Sequence, residues 1–304
     1  GRNIGVFQWV QLADEPLSNF IRAEGKIQST DYVGGTEYLY IDRASGSIKV
    51  ADGPLFSVAD IAHAHFRAHW PSEVEAGRVH IVGHSLGAQL VVHLAKKLID
   101  DGFGRENLRR VTMLDPVFSD SAKPFFHDNV CGREDSAVLG CYMSLLLAAD
   151  IAVELYRASF INRCIFSSEN NALMVNNSAA VALKFTQWGS VQDGYCWNAD
   201  LLSHVSPHSV HSLVTQLYNQ HRAAIEWYVK SRLGGAAPRI CVKRGTSGCD
   251  KTRAPAISGM SSDEDVLRWA RGESCLFQYV DKGSKNADPS DDLFYVSPCE
   301  KFNT

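Results

Sequence analysis

Glycine and proline are scarce in this sequence, with 23 and 10 residues among 304. This scarcity excludes a collagen-like chain and a low-complexity chain. An excess of basic residues is lacking as well, since 30 lysines and arginines stand against 34 acidic residues and leave a net charge of -4. The chain therefore has no strong positive field that would attract the phosphates of nucleic acid. We expect no nucleic-acid partner.

Long apolar runs are also lacking. The most apolar stretch, residues 143–153, is interrupted by Asp150 and falls short of the roughly 18 residues that a membrane span needs. We therefore expect no transmembrane segment. The N-terminus has no basic region with an apolar core and a cleavage site behind it, because residues 1–3 lead directly into an apolar run. We interpret this as a chain whose signal peptide has been removed.

Cysteine is absent from the first 130 residues and then occurs eight times, at positions 131, 141, 164, 196, 241, 249, 275 and 299. The even count without a C-x-x-C pair favours four disulfides, and so a secreted or extracellular protein, over a zinc or redox centre. Eight buried free thiols are the alternative. Roughly a hundred connectivities exist, and the pairing of neighbours, Cys131 with Cys141 and Cys241 with Cys249, is one hypothesis. The sequon at 176–178 agrees with a secreted glycoprotein.

The composition is that of a globular protein, with 45% hydrophobic and 21% charged residues. The length fits roughly two domains or one large α/β domain. Short apolar runs predict strands buried in a mostly parallel sheet, at 4–10, which we place centrally, and at 78–84, 110–114, 151–157 and 181–186. Helical spacing predicts helices over about 57–70, 88–100 and 220–230. The strand, helix and strand between residues 78 and 114 predict a right-handed parallel βαβ unit.

Smaller signals surround these elements. Residues 38–50 alternate in polarity about a polar turn at 44–47 and predict a surface hairpin. Ser57 and Asp60 have the spacing of a capping box, which opens the helix at 57–70. That helix carries three histidines that do not share one face and so predict no metal site, namely His63, His65 and His69.

The last part of the chain differs in composition. From about residue 234 it is rich in Ser, Gly, Asp and Lys and holds four of the cysteines. We expect an irregular C-terminal tail over 234–304, pinned by disulfides and packed on a first domain of residues 1–233.

The segment 83–87 reads Gly-His-Ser-Leu-Gly and matches G-x-S-x-G between a predicted strand and a predicted helix. In this context Ser85 occupies a strained turn, and we expect a side chain at either flanking glycine to clash with the backbone. The turn exposes the Ser85 hydroxyl at the carboxyl edge of the sheet. It also directs the Leu86 N–H toward the place where an oxyanion would form. The pattern indicates a nucleophile elbow rather than an ordinary turn.

A serine nucleophile needs a histidine base and an acid that orients it. Asp115 ends the strand after the elbow and is our candidate acid, although a loop cap before Pro116 is the alternative, and Asp193 and Asp200 remain in reserve. The residues leave five candidates for the base, namely His127, His204, His208, His211 and His221. The histidines of 203–212 have ligand-like spacing but no cysteine or carboxylate beside them, so we expect no metal there. Hydrolysis by a serine, a histidine and an acid needs neither a metal nor an organic cofactor, and we expect neither.

The elbow at 82–88 and the Leu-Asp-Pro sequence at 114–116 resemble the pancreatic lipase family of neutral lipases and phospholipases. In that family the elbow reads GHSLGA and the acid lies in LDP. The resemblance spans roughly residues 3–235 and implies an α/β-hydrolase fold, with a mostly parallel central sheet flanked by helices.

The same resemblance implies which histidine is the base. The family's histidine starts a helix and has an aromatic residue at +7 and a serine at +10. His221 fits this pattern with Tyr228 and Ser231. The other candidates tested in this way do not fit it, namely His204, His208 and His211.

The chain departs from the family in three respects. The family's second oxyanion donor follows a strand that precedes the one at Ile4, so we expect an incomplete oxyanion hole unless an N-terminal companion fragment or chain completes it. One lost donor lowers the rate by about a hundred- to a thousandfold. A cysteine-framed lid has no clear counterpart, although Cys164 and Cys196 bracket a candidate. The region after Ser231 is too short for the family's C-terminal β-sandwich.

The resemblance implies a secreted ester hydrolase that acts on a lipid at an interface, with triacylglycerol, phospholipid or galactolipid as substrate. Ser85 is the nucleophile, His221 the base and Asp115 the acid, and the Leu86 N–H donates to the oxyanion. The alternative is a lipase-like protein of weak or no activity, with a structural, storage or lipid-binding role. Retention of all three triad residues argues against that alternative, and the missing oxyanion loop argues for it.

Overall fold

A computed structural model describes residues 4–9, 20–28, 39–42, 44–50, 56–69, 79–116, 131, 135–158, 178–183, 207–234, 237–245, 248–273, 276–279, 289 and 292–297. The α-helices in these ranges are α1 (Phe20–Gln28), α2 (Val58–His69), α3 (Leu86–Asp100), α4 (Asp135–Ala148), α5 (Pro207–Leu233) and α6 (Asp263–Arg268), and a π-helical turn, Trp269–Glu273, follows α6. The strands are β1 (Leu39–Ile41), β2 (Ile48–Val50), β3 (Val79–His84), β4 (Leu108–Leu114), β5 (Ala152–Arg157), β6 (Ala179–Ala182), β7 (Arg239–Gly245), β8 (Gly248–Pro255), β9 (Leu276–Tyr279) and β10 (Leu293–Ser297).

Eight of these strands form one sheet, in the order β3-β4-β5-β6-β9-β10-β7-β8. Strands β3 to β6 and then β9 pair in parallel. Strand β10 is antiparallel to β9 and parallel to β7, and β8 closes the sheet as the antiparallel partner of β7. Helices α3 and α4 pack against the parallel half. The prediction of an α/β fold with a mostly parallel sheet is confirmed, and β3, α3 and β4 form the predicted parallel unit.

The core lies on both sides of α3. One side of this helix packs toward the sheet and α4 through Val91, Val92 and Ala95, in the larger apolar cluster. The other side packs toward α1 and α2 through Leu90, Leu94 and Leu98, in the smaller cluster. A helix that is apolar nearly all round is buried in this way. It thereby fixes the first turn of α3, directly after Ser85, against the end of β3.

The capping box predicted for α2 is present. The Ser57 hydroxyl accepts the Asp60 N–H at 3.0 Å, and the Asp60 carboxylate accepts the Ser57 N–H at 3.0 Å. The surface hairpin is present too, with Leu39 opposite Val50 and Ile41 opposite Ile48. Both local predictions are therefore confirmed.

The prediction of a central strand at 4–10 is wrong for the six of these residues that the structure describes. Residues 4–9 form no strand, and the Ile4 and Val6 side chains are 89% and 78% exposed. Only Phe7 and Trp9 pack against the smaller cluster. An apolar run shows that side chains can be buried, but pairing with neighbouring strands decides whether a strand forms.

The prediction of an irregular tail is wrong between residues 239 and 297. Four strands and helix α6 lie in this region. Strand β9 pairs directly with β6, so the region extends the main sheet rather than covering it. Periodicity did not reveal β7 and β8, because these strands carry many charged and small residues. Strands β9 and β10 are apolar runs of four and five residues, too short to stand out beside the charged and small residues around them.

The disulfide hypothesis has a mixed outcome. Cys131 and Cys141 are bonded, as proposed. Cys241 is also disulfide-bonded, but it lies opposite Thr252, while Cys249 lies opposite Arg244. Three residues along a strand correspond to about 10 Å, beyond the roughly 7 Å between Cα atoms that a disulfide spans. The proposed pair of Cys241 with Cys249 is therefore wrong, and the cysteines at 164, 196, 275 and 299 lie outside the described residues.

None of the helices in the described ranges combines the length and the apolar character that crossing a membrane requires.

Candidate active site

Ser85 lies in a strained turn between β3 and α3. Its backbone has φ 58° and ψ -126°, a left-handed conformation that a residue with a side chain rarely adopts. The Ser85 N–H donates to the carbonyl of Leu114 at 3.0 Å, and the Ser85 carbonyl accepts the Ala88 N–H at 3.0 Å. The turn is thus bonded to the end of β4 on one side and to the first turn of α3 on the other. The strand, turn and helix predicted around this serine are all present.

The two glycines of the motif differ in what they do. A Cβ atom at Gly83 would lie 2.1 Å from the Gly87 carbonyl oxygen and 2.9 Å from the Ala88 nitrogen, both main-chain atoms. A Cβ atom at Gly87 would meet no other atom within 4 Å. The expectation that both flanks exclude a side chain is therefore correct for Gly83 and wrong for Gly87.

Asp115 lies at the same sheet edge, directly after β4. It has φ 42° and is completely buried. Its N–H donates to the Tyr156 carbonyl at 2.6 Å, and its Oδ1 accepts the Ala158 N–H at 2.8 Å. The end of β5 therefore holds both the backbone and the carboxylate of this residue.

The second carboxylate oxygen of Asp115 reaches His221 on α5. Its Oδ2 lies 2.5 Å from His221 Nδ1, and the His221 side chain is only 12% exposed. Because a carboxylate accepts, Nδ1 carries the proton and Nε2 of the neutral ring keeps a lone pair. This is the tautomer that a general base needs. Helix α5 begins 13 residues earlier than predicted, so His221 lies in its middle.

His84 joins the elbow to the same helix. Its Nε2 donates to the backbone carbonyl of His221 at 3.0 Å, and the two imidazole rings lie 4.2 Å apart. Burial and the positive charge that His221 acquires on protonation together lower the pKa of His84, outweighing the opposite effects of this hydrogen bond and of Asp115. His84 is therefore a neutral donor near neutral pH.

Ser85 directly follows His84, whose ring contacts the His221 ring, but the Ser85 hydroxyl is not hydrogen-bonded to His221. The side chain of His221 bonds to Asp115, and among the described residues no hydrogen bond joins its Nε2 to Ser85. Serine and base are often farther apart without substrate than in the reacting complex. Ser85 does not cap α3 with its side chain, and the described residues provide no hydrogen-bond acceptor for the Leu86 N–H.

The other candidates from the sequence do not enter this site in the described part of the chain. His208 and His211 lie on α5 at least ten residues before His221, which corresponds to about 15 Å along a helix. The remaining candidates lie outside the described residues, namely His127, Asp193, Asp200 and His204.

No family model, curated protein or solved structure matches the chain. The chemistry of the site is therefore argued from its geometry. The described residues contain no group of three histidine, cysteine or carboxylate side chains placed to hold a metal ion. On α2, His63 pairs instead with Asp101 at 2.9 Å, and His69 Nδ1 lies 2.9 Å from the His65 carbonyl.

Sequence reasoning missed a buried polar network beneath the site. The completely buried Glu154 accepts hydrogen bonds from Arg110 at 2.8 Å, from Thr112 at 2.5 Å and from the Tyr228 hydroxyl at 2.9 Å. Burial alone would raise the pKa of Glu154, but the Arg110 charge and these hydrogen bonds outweigh it and lower that pKa. The network connects β4 and β5 to α5. A charged residue within each of two adjacent apolar strands is the sequence signal for it.

A second attachment of α5 lies one turn further along. The buried Ser231 hydroxyl donates to the Tyr228 carbonyl at 2.8 Å and accepts the Gly259 N–H at 2.9 Å. Arg232 donates to the Gly259 carbonyl at 2.5 Å. Tyr228 and Ser231, the residues at +7 and +10 from His221, therefore fasten the helix that carries His221.

Proposed function

We propose that this protein is a serine hydrolase of the α/β-hydrolase fold that cleaves carboxylic esters of lipids. The observation that carries the proposal is the 2.5 Å contact between His221 Nδ1 and the buried Asp115 carboxylate, made beside a serine in a strained strand-to-helix turn. An ordinary surface turn requires neither a strained backbone at a serine nor a buried carboxylate bonded to a histidine nearby.

The geometry suits acyl transfer in two steps. The lone pair on His221 Nε2 takes the proton of the Ser85 hydroxyl while Oγ attacks the ester carbonyl. The ring becomes an imidazolium, which Asp115 stabilises through the Nδ1 hydrogen bond. The Leu86 N–H, at the N-terminus of the 15-residue helix α3, donates to the oxyanion. His221 then returns the proton to the leaving alkoxide, and water releases the acyl group by the same path.

The lipid substrate and the extracellular location belong to the proposal through the resemblance of 82–88 and 114–116 to the pancreatic lipase family. Triacylglycerol, phospholipid and galactolipid are the three substrate classes to compare. The Cys131–Cys141 disulfide supports an oxidising compartment.

A specific observation favours the alternative of a weakly active or inactive lipase-like protein. The Ser85 hydroxyl makes no hydrogen bond to His221 in the described residues, and the Leu86 N–H is the only oxyanion donor that the proposal identifies. A structural, storage or lipid-binding protein would need neither a hydrogen bond between Ser85 and His221 nor a second oxyanion donor. A companion fragment that supplies a second donor would reconcile the two hypotheses.

The first test is labelling with a fluorescent fluorophosphonate, which reacts with activated serines. We expect the wild-type protein to be labelled at Ser85, found by peptide mapping, and S85A to be unlabelled. The matched control is S45A, because Ser45 lies in the exposed turn of the β1–β2 hairpin. Hydrolysis of the three lipid classes then selects the substrate. A folded wild-type protein that takes up no label would refute the proposal and favour the non-catalytic alternative.

A further inference from the structure

His84 adjoins both Ser85, the proposed nucleophile, and His221, the proposed base. It precedes Ser85 in the chain as the last residue of β3, and its Nε2 lies 3.0 Å from the His221 carbonyl oxygen, 137 residues away. Its ring also packs at 4.2 Å from the His221 ring. A single side chain thus links the peptide unit of the proposed base to the strand that ends at the nucleophile.

The contact restrains a part of His221 that Asp115 does not restrain. Asp115 fixes the imidazole ring through Nδ1, whereas His84 binds the main-chain carbonyl of the same residue. The network around Tyr228 and the contacts of Ser231 hold α5 two and three turns further along. At the level of the site itself, α5 is held by the apolar packing of Ala224, by the Asp115 bond to the His221 ring, and by the His84 bond to the His221 main chain.

We infer that His84 is a positioning residue, which sets the location of the His221 main chain relative to Ser85. The inference rests on the proposed function. Displacement of a catalytic group by about 1 Å lowers rates by about a hundredfold, so one restraint at this point has a large effect. The lowered pKa of His84 supports the role, because a neutral ring donates from Nε2 and does not oppose the positive charge that His221 gains during the reaction.

The test compares two substitutions at position 84 with a matched control. H84F keeps a ring of similar size but removes the donor, whereas H84Q keeps an N–H at about the position of Nε2. The control is H69F, since His69 also contacts a backbone carbonyl, that of His65 at 2.9 Å, but on the exposed face of α2. Each protein is assayed on a water-soluble ester for kcat and KM, and its Tm is measured.

We expect H84F to lower kcat by about ten- to a hundredfold and to leave KM nearly unchanged, since the lost contact positions the base rather than the substrate. H84Q should stay within about threefold of the wild type, and H69F should equal it. Equal kcat in H84F and wild type would overturn the inference. So would an equal loss in folded H84F and folded H84Q, because the donor would then be irrelevant.

A second measurement needs no variant at position 84. In S85A labelled with ¹⁵N-histidine, NMR identifies which ring nitrogen of each histidine carries the proton. The inference requires the proton on Nε2 of His84 near neutral pH, and a proton on Nδ1 alone would overturn it even if H84F fails to fold. Failure of the proposed function is distinguishable, since it abolishes fluorophosphonate labelling of the wild type. Failure of the inference leaves that labelling intact.

Discussion

Replacement of Gly83 by alanine tests the close approach of β3 to the first turn of α3. The added Cβ would lie 2.1 Å from the Gly87 carbonyl oxygen, whereas real Cβ atoms essentially never come closer than 3.0 Å to such an atom. The contact must therefore lengthen by at least 0.9 Å, from 2.1 to 3.0 Å. All three nearest atoms belong to the main chain, so no flexible side chain can rotate away. The strand, the helix or both must shift.

The size of the effect follows from this displacement. Overpacking of a tight site costs about 1 to 3 kcal/mol, and we expect G83A at the upper end because backbone must move. For a chain of 304 residues the loss lowers Tm by about 3 to 5 °C. Because the shift occurs within two residues of Ser85, the rate of fluorophosphonate labelling should fall by about a hundredfold.

G87A is the matched control, with the same substitution four residues away. Its Cβ would meet nothing within 4 Å, and Gly87 has no left-handed backbone. Alanine favours helix over glycine by about 1 kcal/mol, so G87A should match or slightly exceed the wild type in Tm and keep its labelling rate. Thermal unfolding and time-resolved labelling of the three proteins decide the matter. If G83A and G87A behave alike, the reasoning from close approach is refuted.

Three further predictions concern the acid, the buried network and the disulfide. D115N should lower kcat by about ten-thousandfold, because the amide no longer holds the His221 tautomer; a kcat near that of the wild type would remove Asp115 from the triad. E154Q should cost about 3 kcal/mol in urea unfolding at neutral pH, since it removes the buried carboxylate 2.8 Å from Arg110 and leaves that guanidinium only the more distant carboxylate of Asp263, at 3.7 Å. Because the pKa of Glu154 is lowered in the fold, its carboxylate stabilises the wild type at pH values above the ordinary pKa of 4.5. This contribution is lost as the pH falls below that value. The unfolding free energy should therefore fall more steeply with acid in the wild type than in E154Q. Replacing Cys131 and Cys141, which are ten residues apart, with serine should cost about 2.5 kcal/mol, and an unchanged unfolding free energy would contradict this.

Local signals predicted the geometry around Ser85 well. The G-x-S-x-G segment and the run before it specify a strand, a strained turn and a helix over residues 79–100, because these elements depend on near neighbours. Asp115 was found by the same logic, since it ends the strand parallel to β3. The capping box of α2 is an equally local device.

Features that depend on distant partners were missed. Residues 4–9 have the composition of a strand, but within the described residues they pair with no neighbouring strand. Strands β7 and β8 lack an apolar pattern, and β9 and β10 are short apolar runs. All four become strands through pairing with each other and with β6. The residues alone left five histidines as candidates for the base, and only the resemblance to the lipase family selected His221. The contact between His221 and Asp115 depends on the fold, since the two residues lie 106 positions apart in the chain.

The pairing of β6 with β9 has a consequence for biosynthesis. Val181 lies opposite Phe277, so roughly a hundred residues separate the two strands in the chain. At about 5 to 20 residues per second, the ribosome releases β9 some 5 to 20 s after β6. During that interval the β6 edge of the parallel half-sheet is unpaired in the nascent chain, the kind of surface that recruits other strands. We therefore expect chains that stop before residue 276 to aggregate in the cell, and chaperone supply to limit the yield of the full-length protein.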